Sequence, residues 1–524
     1  MSERAEASVA PVAASTNAWL IAIVVALAVF MEVLDTTIAN VALPYIAGGL
    51  GVSQDESSWV VTTYLVANAI IVTATSYLPK RFGRKAFFLF SLGLFTLSSI
   101  LCGLAWNLDS LLLFRILQGL GGGGMVPVAQ SILADSFPPE KRGQAFALFG
   151  VAVVVAPVVG PTLGGWIADN YSWQWNFLIN GPVGLAAMAL VYVLVNGERP
   201  ADDNTRFDLI GFLLVAAFLG SLEFVLDRGL VEDWFGSGVI VTFTVICVLA
   251  LAALIPWEAS RHNPTADVRM IYTRQFGSAL VVMLATGSIL YATTQFMPLM
   301  VQQQFGYTAT WAGLVLSPGG LVTMLMMFVV GTLSNRVQPK YLIAVGAIII
   351  ALSMYGLTNL TPDLDFWYFA RSRVLLGLGL PLIFLPITGA SYDGLPAGKT
   401  DQASALMNAA RNTGGSIGVS IASNVLAHRE QFHQNMLVGS LAPSSISYQD
   451  TLQRVTQYFV GQGSSLLQAQ SQAIAWVGQQ VQAQAALLAY VDVFWILMVI
   501  SLAAVPLALI LREVKLGGAA PTGH

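Results

Sequence analysis

Long apolar runs, each about as long as the thickness of a lipid bilayer requires, recur along almost the whole chain. A transmembrane helix needs about 20 consecutive apolar residues. The first run is too long for the core of a signal peptide, so we interpret it as a retained span. The pattern predicts an all-α polytopic membrane protein. Its fourteen predicted spans are residues 19–43, 57–78, 86–104, 110–134, 143–167, 177–195, 208–226, 236–257, 276–301, 310–333, 341–359, 367–392, 403–427 and 489–511.

The composition agrees with a chain embedded in lipid. Of its 524 residues, 56% are hydrophobic and 10% are charged, whereas soluble proteins carry about 25% charged residues. The formal net charge of -4 provides no basic field for nucleic acid. Cys102 and Cys247 lie in apolar runs, which argues against a disulfide. The sequence has no metal-binding or nucleotide-binding motif, so we expect no enzyme activity, metal site or cofactor.

The basic residues predict the topology. Of the 24 Lys and Arg residues, 17 fall in segments on one side of the predicted spans, 3 in loops on the other side and 4 within spans. Because cytoplasmic loops carry an excess of Lys and Arg, the richer side is expected to be cytoplasmic. An even number of spans then places both termini in the cytoplasm.

The chain also contains an internal repeat, which appears when the sequence is shifted by 258 residues. Residues 115–121, Arg-Ile-Leu-Gln-Gly-Leu-Gly, then align with residues 373–379, Arg-Val-Leu-Leu-Gly-Leu-Gly. Parallel repeats are typical of transporters whose substrate site lies between two rocking halves. The predicted organisation is a cytoplasmic tail (1–18), a six-helix bundle (19–197), two inserted helices (198–260), a second six-helix bundle (261–511) with a periplasmic loop (428–488), and a cytoplasmic tail (512–524).

Two acids and one arginine lie inside apolar spans of the first half. Glu32 and Asp35 are three residues apart in span one, so they share a helical face. An arginine within a span, such as Arg115 in span four, costs about 2.5 to 3.5 kcal/mol on insertion scales and needs an acidic or carbonyl partner. We assign proton coupling chiefly to Asp35 opposite Arg115, with Glu32 as a second proton site or a contact for cationic drugs. The alternative is a structural ion pair that locks spans one and four together.

Span five combines glycines, which permit close helix approach, with prolines, which bend a helix. A generic packing seam is the competing interpretation of this pattern. The residues concerned are Gly150, Pro157, Gly160, Pro161, Gly164 and Gly165.

Other polar and adaptable side chains within spans are candidates for the wall of a substrate cavity, although ordinary packing is the competing interpretation. Glu223 and Asp227 share a face of span seven, which belongs to the insert. We expect these two acids at the membrane interface, with a second proton path as the alternative. The cavity candidates are Gln118, Tyr291, Gln295, Phe296, Met297, Asn408 and Arg411.

The loop 428–488 is rich in Gln, Ala and Ser. Apolar residues at nearly helical spacing within it predict a short amphipathic helix that lies on the outer surface. These residues are Leu466, Leu467, Ala473, Ile474, Val477 and Val481.

Several of these segments resemble motifs of the major facilitator superfamily, and in particular of the EmrB-type multidrug exporters in its fourteen-helix drug:proton antiporter branch. Residues 34–44, Leu-Asp-Thr-Thr-Ile-Ala-Asn-Val-Ala-Leu-Pro, are similar to the branch signature, and residues 408–418 are similar to its penultimate-helix signature. Arg115, Gln118, Gly119 and Gly121 look like the proton-transfer motif, and the span-five set looks like the antiporter motif.

Residues 76–85 are similar to the cytoplasmic gating loop of the superfamily. Ser76 stands where that loop usually has Gly and Lys80 where it usually has Asp, so the family's charge relay from this Asp is not expected here. The candidate residues of this loop, which either match the motif or are charged, are Lys80, Arg81, Gly83, Arg84 and Lys85.

The resemblance implies the major facilitator fold and proton-coupled multidrug efflux by alternating access across the bacterial inner membrane, without a cofactor. It implies substrates that are lipophilic or cationic drugs and uncoupler-like weak acids. It also implies a periplasmic membrane-fusion adaptor and a TolC-type outer-membrane channel as partners, with the loop 428–488 either touching the adaptor or capping the cavity. Two alternatives remain open: a specific exporter of one metabolite, siderophore or fatty acid, and a sensor or scaffold that does not transport.

Overall fold

The computed structural model describes residues 17–75, 77–195, 197, 208–261, 267–334, 336–392, 399–440 and 445–513, most of which are helical. The predicted tails, 1–18 and 512–524, lie almost entirely outside these residues, as does Ser76 of the gating loop. The α-helices are α1 (Ala18–Leu50), α2 (Gln54–Ala74), α3 (Leu78–Phe82), α4 (Arg84–Gly103), α5 (Leu108–Gly122), α6 (Met125–Ser136), α7 (Pro139–Asn170), α8 (Trp175–Leu178), α9 (Asn180–Leu194), α10 (Leu209–Arg228), α11 (Gly238–Ser260), α12 (Val268–Ile271), α13 (Arg274–Phe305), α14 (Ala309–Leu333), α15 (Pro339–Gly356), α16 (Phe366–Ser391), α17 (Thr400–Ser440), α18 (Ile446–Gly461) and α19 (Leu466–Ile510).

The predicted spans coincide with these helices or with pairs of consecutive helices. Within the described residues, twelve helical segments are long and apolar enough to cross a membrane, and the bent helix α7 makes a thirteenth when its two parts are joined. Helix α17 is too polar to meet that criterion, yet it packs against α13 and α19 inside the second half. The all-helical membrane fold is confirmed, while the count of fourteen spans stays a prediction.

Polar residues at the helix starts explain several of the boundaries. The side chain of Ser53 accepts a hydrogen bond from the backbone of Glu56 and forms a capping box at α2, and Asn107 does the same with Ser110 at α5. Asp365 caps the start of α16 through its side chain. These caps satisfy backbone N–H groups that have no partner within the helix, so these three polar breaks in the hydrophobic pattern become helix starts.

The two halves pack their helices in the same order. In the first half, α1 packs on α7 and α9, while α4 packs on α5 and α9 and α5 also packs on α2. In the second half the helices one repeat later make the same pairs: α13 with α17 and α19, α15 with α16 and α19, and α16 with α14. This correspondence is what parallel repeats produce.

The two seams between the halves differ. On one side α7 packs along α14, and the glycine Gly313 lets the two backbones approach, because a Cβ atom on it would lie 1.9 Å from Oγ1 of Thr162. On the other side α2 and α17 meet less closely, and α10 of the inserted pair packs against both of them. The inserted helix therefore stands in the second seam and does not lie apart from the two halves.

The segment predicted as a long loop, residues 428–488, is mostly helical. Helix α17 continues to Ser440, α18 follows, and α19 runs without a break from Leu466 to Ile510. At 1.5 Å per residue α19 is about 68 Å long, roughly twice the ~30 Å hydrocarbon core. The prediction of a short amphipathic helix on the surface is wrong, because Ala469 and Ala473 are buried and α18 packs on α19. The start of α19 and α18 form a helical hairpin that projects beyond the predicted spans.

We expect Gly313→Ala to lower the thermal unfolding midpoint, because its Cβ would collide with Thr162 and push α7 and α14 apart. Gly478→Ala is the matched control: Gly478 lies in α19, and a Cβ atom added to it would have nothing within 4 Å, so this change should leave stability equal or raise it by up to about 1 kcal/mol. The measurement is thermal unfolding of both variants in detergent. Equal midpoints for both variants would contradict close packing at this seam.

Candidate functional site

Arg115 and Asp35 form a buried ion pair in the first half. Nη1 of Arg115 lies 2.7 Å from Oδ2 of Asp35, and both side chains are completely buried. The other carboxylate oxygen, Oδ1, accepts hydrogen bonds from Gln118 at 2.9 Å and from Asn180 at 2.7 Å. All three partners donate hydrogen bonds to the carboxylate, as expected when the acid is ionised. The pair that the sequence predicted thus has amide partners from α5 and α9.

Close helix packing brings the arginine to this position. A Cβ atom on Gly119 would lie 2.5 Å from the carbonyl oxygen of Tyr64, so the glycine lets α5 rest directly on α2. Nε of Arg115 then donates to the carbonyl of Val60 at 2.9 Å, and its guanidinium carbon lies 4.2 Å from the centre of the Tyr64 ring. The cation is paired with an acid, a carbonyl and an aromatic face, the partners that an intramembrane charge requires, while its Nη2 has no hydrogen-bond partner among the described residues.

Glu32 belongs to a second network that reaches the other half. Its Oε1 accepts hydrogen bonds from the hydroxyl of Tyr64 at 3.0 Å and from Nδ2 of Asn68 at 3.2 Å. Asn68 in turn accepts a hydrogen bond from Asn412 of α17 at 3.4 Å. Tyr64 therefore touches both acids' networks, because its ring lies beside Arg115 and its hydroxyl bonds to Glu32.

A cavity of about 240 Å³ lies between the halves. Glu32, Glu223, Asp227, Arg115 and Arg411 line it, so it holds three acids and two basic groups, one of which is already paired with Asp35. Apolar and hydroxyl side chains make up much of the rest. The lining also includes polar side chains along α1 and α17, which are Thr37, Asn40, Ser420, Ser423 and Asn424.

The two halves are in direct contact at the end of the bundle that carries most of the basic residues. There Oε1 of Gln130 in the first half accepts hydrogen bonds from Ser404 and Asn408 of the second half, both at 2.8 Å. The rings of Phe146 and Tyr392 also stack across the halves with centroids 5.9 Å apart. The halves are joined at this basic end, and the cavity extends toward the opposite end.

The predicted cavity residues fall into three groups. Tyr291, Gln295 and Arg411 line the cavity. Gln118 lies behind the wall in the Asp35 network, and Asn408 joins the two halves at the basic end. Phe296 and Met297 are buried in the hydrophobic core, outside the lining of this cavity.

Glu223 and Asp227 lie at the cavity between the halves, and their expected depth at the membrane interface stays a prediction. Both line the central cavity, because α10 stands between α2 and α17. Glu223 accepts a hydrogen bond from Ser416 of α17 at 2.5 Å, and Asp227 accepts one from Thr62 of α2. The inserted helix thus supplies acids to the cavity and bonds to both halves.

The glycines of the span-five set face two different partners. A Cβ atom on Gly160 would lie 1.9 Å from Oγ1 of Thr37, and one on Gly164 would lie 3.1 Å from Cα of Ile38, both in α1. One on Gly150 would lie 2.9 Å from the sulfur of Met327 in the second half. Pro157 and Pro161 lie inside the helix, and α7 bends by 43° between its segments Lys141–Pro157 and Val159–Asn170. Helix α7 is packed between the Asp35 helix and the other half, while a role for this set in exchange stays a proposal.

The gating-loop residues hold the helices of the first half together at the basic end. Arg84 forms an ion pair with Asp135 at the end of α6. Lys85 donates to the carbonyl of Tyr192 in α9 at 2.7 Å. Gly83 adopts a φ of 88°, which favours glycine, and so permits the sharp turn between α3 and α4. Lys80 and Arg81 lie in the last turn of α3.

Three residues of the site were missed from the sequence: Tyr64, Asn68 and Asn180. The two asparagines lie within apolar runs, and a polar amide in a span is costly unless it has a partner, so this signal was present. For Tyr64 no such signal exists, because tyrosine is common in membrane helices.

The major facilitator superfamily model matches residues 25–419. This chain belongs to the major facilitator superfamily. Within the superfamily it is 36% identical over 478 residues to the multidrug export protein EmrB of Haemophilus influenzae, covering 91% of this chain and 92% of that protein. It is 35% identical to the fatty acid resistance protein FarB of Neisseria gonorrhoeae, covering 87% and 90% of the two chains. The resemblance to EmrB-type exporters is thereby confirmed.

Solved structures of the superfamily share the fold at low sequence identity. The human organic anion transporter MFSD10 is 12% identical, with a TM-score of 0.56, and the match covers 92% of this chain and 99% of that one. The proton:xylose symporter XylE is 13% identical, with a TM-score of 0.57, and covers 77% and 87%. The predicted major facilitator fold is confirmed.

The second half of the superfamily fold has kept an arginine but not its acid. Arg373 is the repeat mate of Arg115, whereas α13, the counterpart of α1, contains no Asp or Glu. Arg373 is 3% exposed, and its Nη1 has no hydrogen-bond partner among the described residues. The two equivalent arginines therefore differ in pairing: Arg115 has a buried acid partner, whereas Arg373 has no acid partner among the described residues.

We expect Arg115→Met to destabilise the protein by about 3 to 5 kcal/mol, because it leaves Asp35 buried and unpaired. Arg373→Met, the matched control, should cost far less or stabilise the protein, since it removes a buried cation that has no acid partner among the described residues. The measurement is the unfolding midpoint of each variant in detergent. Similar losses in both variants would contradict the paired state of Arg115.

We expect Glu223→Gln to weaken the binding of a cationic dye such as ethidium by about tenfold, equivalent to about 1.4 kcal/mol, because the variant removes an acid from the cavity wall. Glu232→Gln is the control, because this substitution makes the same change in net charge. Glu232 lies beyond α10 and outside the cavity lining. Fluorescence titration of both purified variants measures the affinities. Equal affinities for Glu223→Gln and the unmodified protein would place the cation elsewhere.

Proposed function

We propose that this chain is a proton-coupled multidrug exporter of the bacterial inner membrane. The observation that carries the proposal is the ion pair of Asp35 and Arg115, buried in the membrane-spanning helices beside a cavity that contains a further acid, Glu32. The identity of 35–36% to proteins named for multidrug export supports the choice of substrate class.

In this proposal the basic end of the bundle faces the cytoplasm, following the excess of Lys and Arg there. The cavity then faces outward in the present structure, and rocking of the halves exposes it to the cytoplasm. Substrate binds to the inward-facing cavity, and protons that enter from outside reload the acids after its release. Each proton moving inward supplies about 2.3 kcal/mol per 100 mV, so no nucleotide is required.

The acids take different parts in this cycle. Asp35 is the coupling residue: to accept a proton it must leave Arg115, which loosens the contacts among α1, α2, α5 and α9. Glu32 faces the cavity directly and serves as a second proton site or as a contact for a cationic drug. The alternative, a purely structural role for the pair, predicts transport that survives neutralisation of Asp35.

Asp35→Asn should abolish gradient-driven transport while substrate binding persists, because asparagine keeps the size of the side chain but cannot carry the proton. The measurement follows ethidium uptake into liposomes that hold the purified protein under an imposed pH gradient. Asp450→Asn makes the same chemical change at an exposed acid of α18 and should transport normally.

Gradient-driven uptake by Asp35→Asn would contradict the assignment of the coupling residue. Absence of uptake by the unmodified protein, across a panel of dissimilar dyes, would contradict the multidrug function. A response to fatty acids alone would favour the second candidate, a specific exporter, which the 35% identity to the fatty acid resistance protein FarB supports.

The helical hairpin beyond the spans is the proposed contact for a periplasmic membrane-fusion adaptor, which would connect this chain to a TolC-type outer-membrane channel. It projects from the end opposite the basic end, and its exposed apolar side chains include Ile446, Leu466, Leu467 and Ile474. Such a group of exposed apolar side chains is typical of a protein interaction surface.

Replacing residues 447–484 by a short linker should abolish co-purification of the adaptor, because it removes most of the hairpin. The unfolding midpoint and ethidium uptake in liposomes should remain, since the deleted residues lie outside the cavity lining. Co-purification that is unchanged by the deletion would eliminate the proposed contact and favour a cap over the cavity.

A further inference from the structure

Arg411 is a buried cation without an acid in contact. The side chain is 3% exposed. Its Nε and Nη2 donate long hydrogen bonds, of 3.4 and 3.3 Å, to Oδ1 of the adjacent Asn412, and its Nη1 has no partner among the described residues. A buried guanidinium normally has a carboxylate or several carbonyls around it. Among the described residues Arg411 makes no hydrogen bond to a carboxylate; its other partner is the neutral hydroxyl of Tyr291, so its guanidinium can bind an anionic group.

The packing of α17 fixes Arg411 at the cavity. A Cβ atom on Gly287 of α13 would lie 2.1 Å from the carbonyl oxygen of Arg411, so the two backbones touch at this point. The side chain lines the cavity next to Tyr291 and Asn412. Since the backbone cannot shift toward α13, the guanidinium stays at the wall of the cavity.

The other charges of the cavity are engaged elsewhere. Asp35 is bound by Arg115. Glu32 interacts electrostatically with Arg411 but forms its hydrogen bonds with Tyr64 and Asn68 of its own half. On the inserted helix, Glu223 bonds to Ser416. Arg411 is thus a charge in this cavity that no described carboxylate neutralises by contact.

We propose that Arg411 binds the ionised acidic group, a carboxylate or phenolate, of amphipathic weak-acid substrates. The planar guanidinium offers two parallel N–H donors, which match the two oxygens of a carboxylate. Apolar lining side chains, including Val61, Leu65 and Val419, receive the rest of the molecule. The proposal rests on the export function above and assigns one residue to one class of substrate within it.

The test compares an acid with its uncharged ester. Dansyl-undecanoic acid and its methyl ester are titrated against the full chain in lipid nanodiscs, with the signal of empty nanodiscs subtracted. Arg411→Gln should weaken binding of the acid by about tenfold or more and leave binding of the ester unchanged. Arg411→Lys should weaken binding of the acid by an intermediate factor, because lysine keeps the charge but lacks the planar guanidinium with its two parallel donors.

Arg373→Gln is the matched control, since Arg373 is equally buried but lies outside the cavity lining. It should bind the acid as the unmodified protein does. Equal losses for acid and ester in Arg411→Gln, unchanged binding of the acid, or the same loss in Arg373→Gln would each overturn the proposal. The titration uses no gradient, so a failure of proton-driven transport would overturn the proposed function while an acid-specific loss would still support the role of Arg411.

Discussion

A guanidinium in the middle of a membrane needs compensation, and the first half is built around meeting that need for Arg115. Four helices take part: α1 supplies Asp35, α2 a carbonyl and the Tyr64 ring, α5 the arginine with Gln118, and α9 supplies Asn180. A change in the charge of Asp35 therefore alters contacts in all four helices at once. Tyr64 extends the effect to Glu32 and thus to the cavity wall.

The second half shows what happens when that constraint is relaxed. Arg373 is retained, yet α13, the counterpart of α1, carries no Asp or Glu, and the guanidinium has no acid partner among the described residues. The seams are unequal too, because α2 and α17 meet less closely and share α10 as a neighbour, whereas α7 packs along α14. The charged side chains that line the cavity from the inserted helix and the second half are Glu223, Asp227 and Arg411. The repeat thus supplies the scaffold twice, and in the proposed cycle Asp35 of the first copy carries the proton while Arg411 of the second binds an acidic substrate.

Hydropathy was enough to predict the helices and the pairing of Asp35 with Arg115, because lipid penalises an unpaired charge wherever it lies. The repeat was predicted from the matching residues that a shift of 258 brings together. It could not predict the place of α10, since an apolar helix fits equally well at the edge of a bundle or in a seam. The length of α19 was missed for a related reason. Residues 466–488 are rich in Gln and Ala, which favour helix without specifying what the helix packs on. Tyr64, Asn68 and Asn180 acquire their roles only through three-dimensional packing.

The central claim is that Asp35 exchanges its proton when substrate binds. The most direct measurement is proton release into weakly buffered detergent solution on addition of ethidium, followed with a pH-sensitive dye. The account predicts release by the unmodified protein and none by Asp35→Asn at saturating ethidium. Equal release by both proteins would contradict the account and would move the proton site to Glu32 or Glu223.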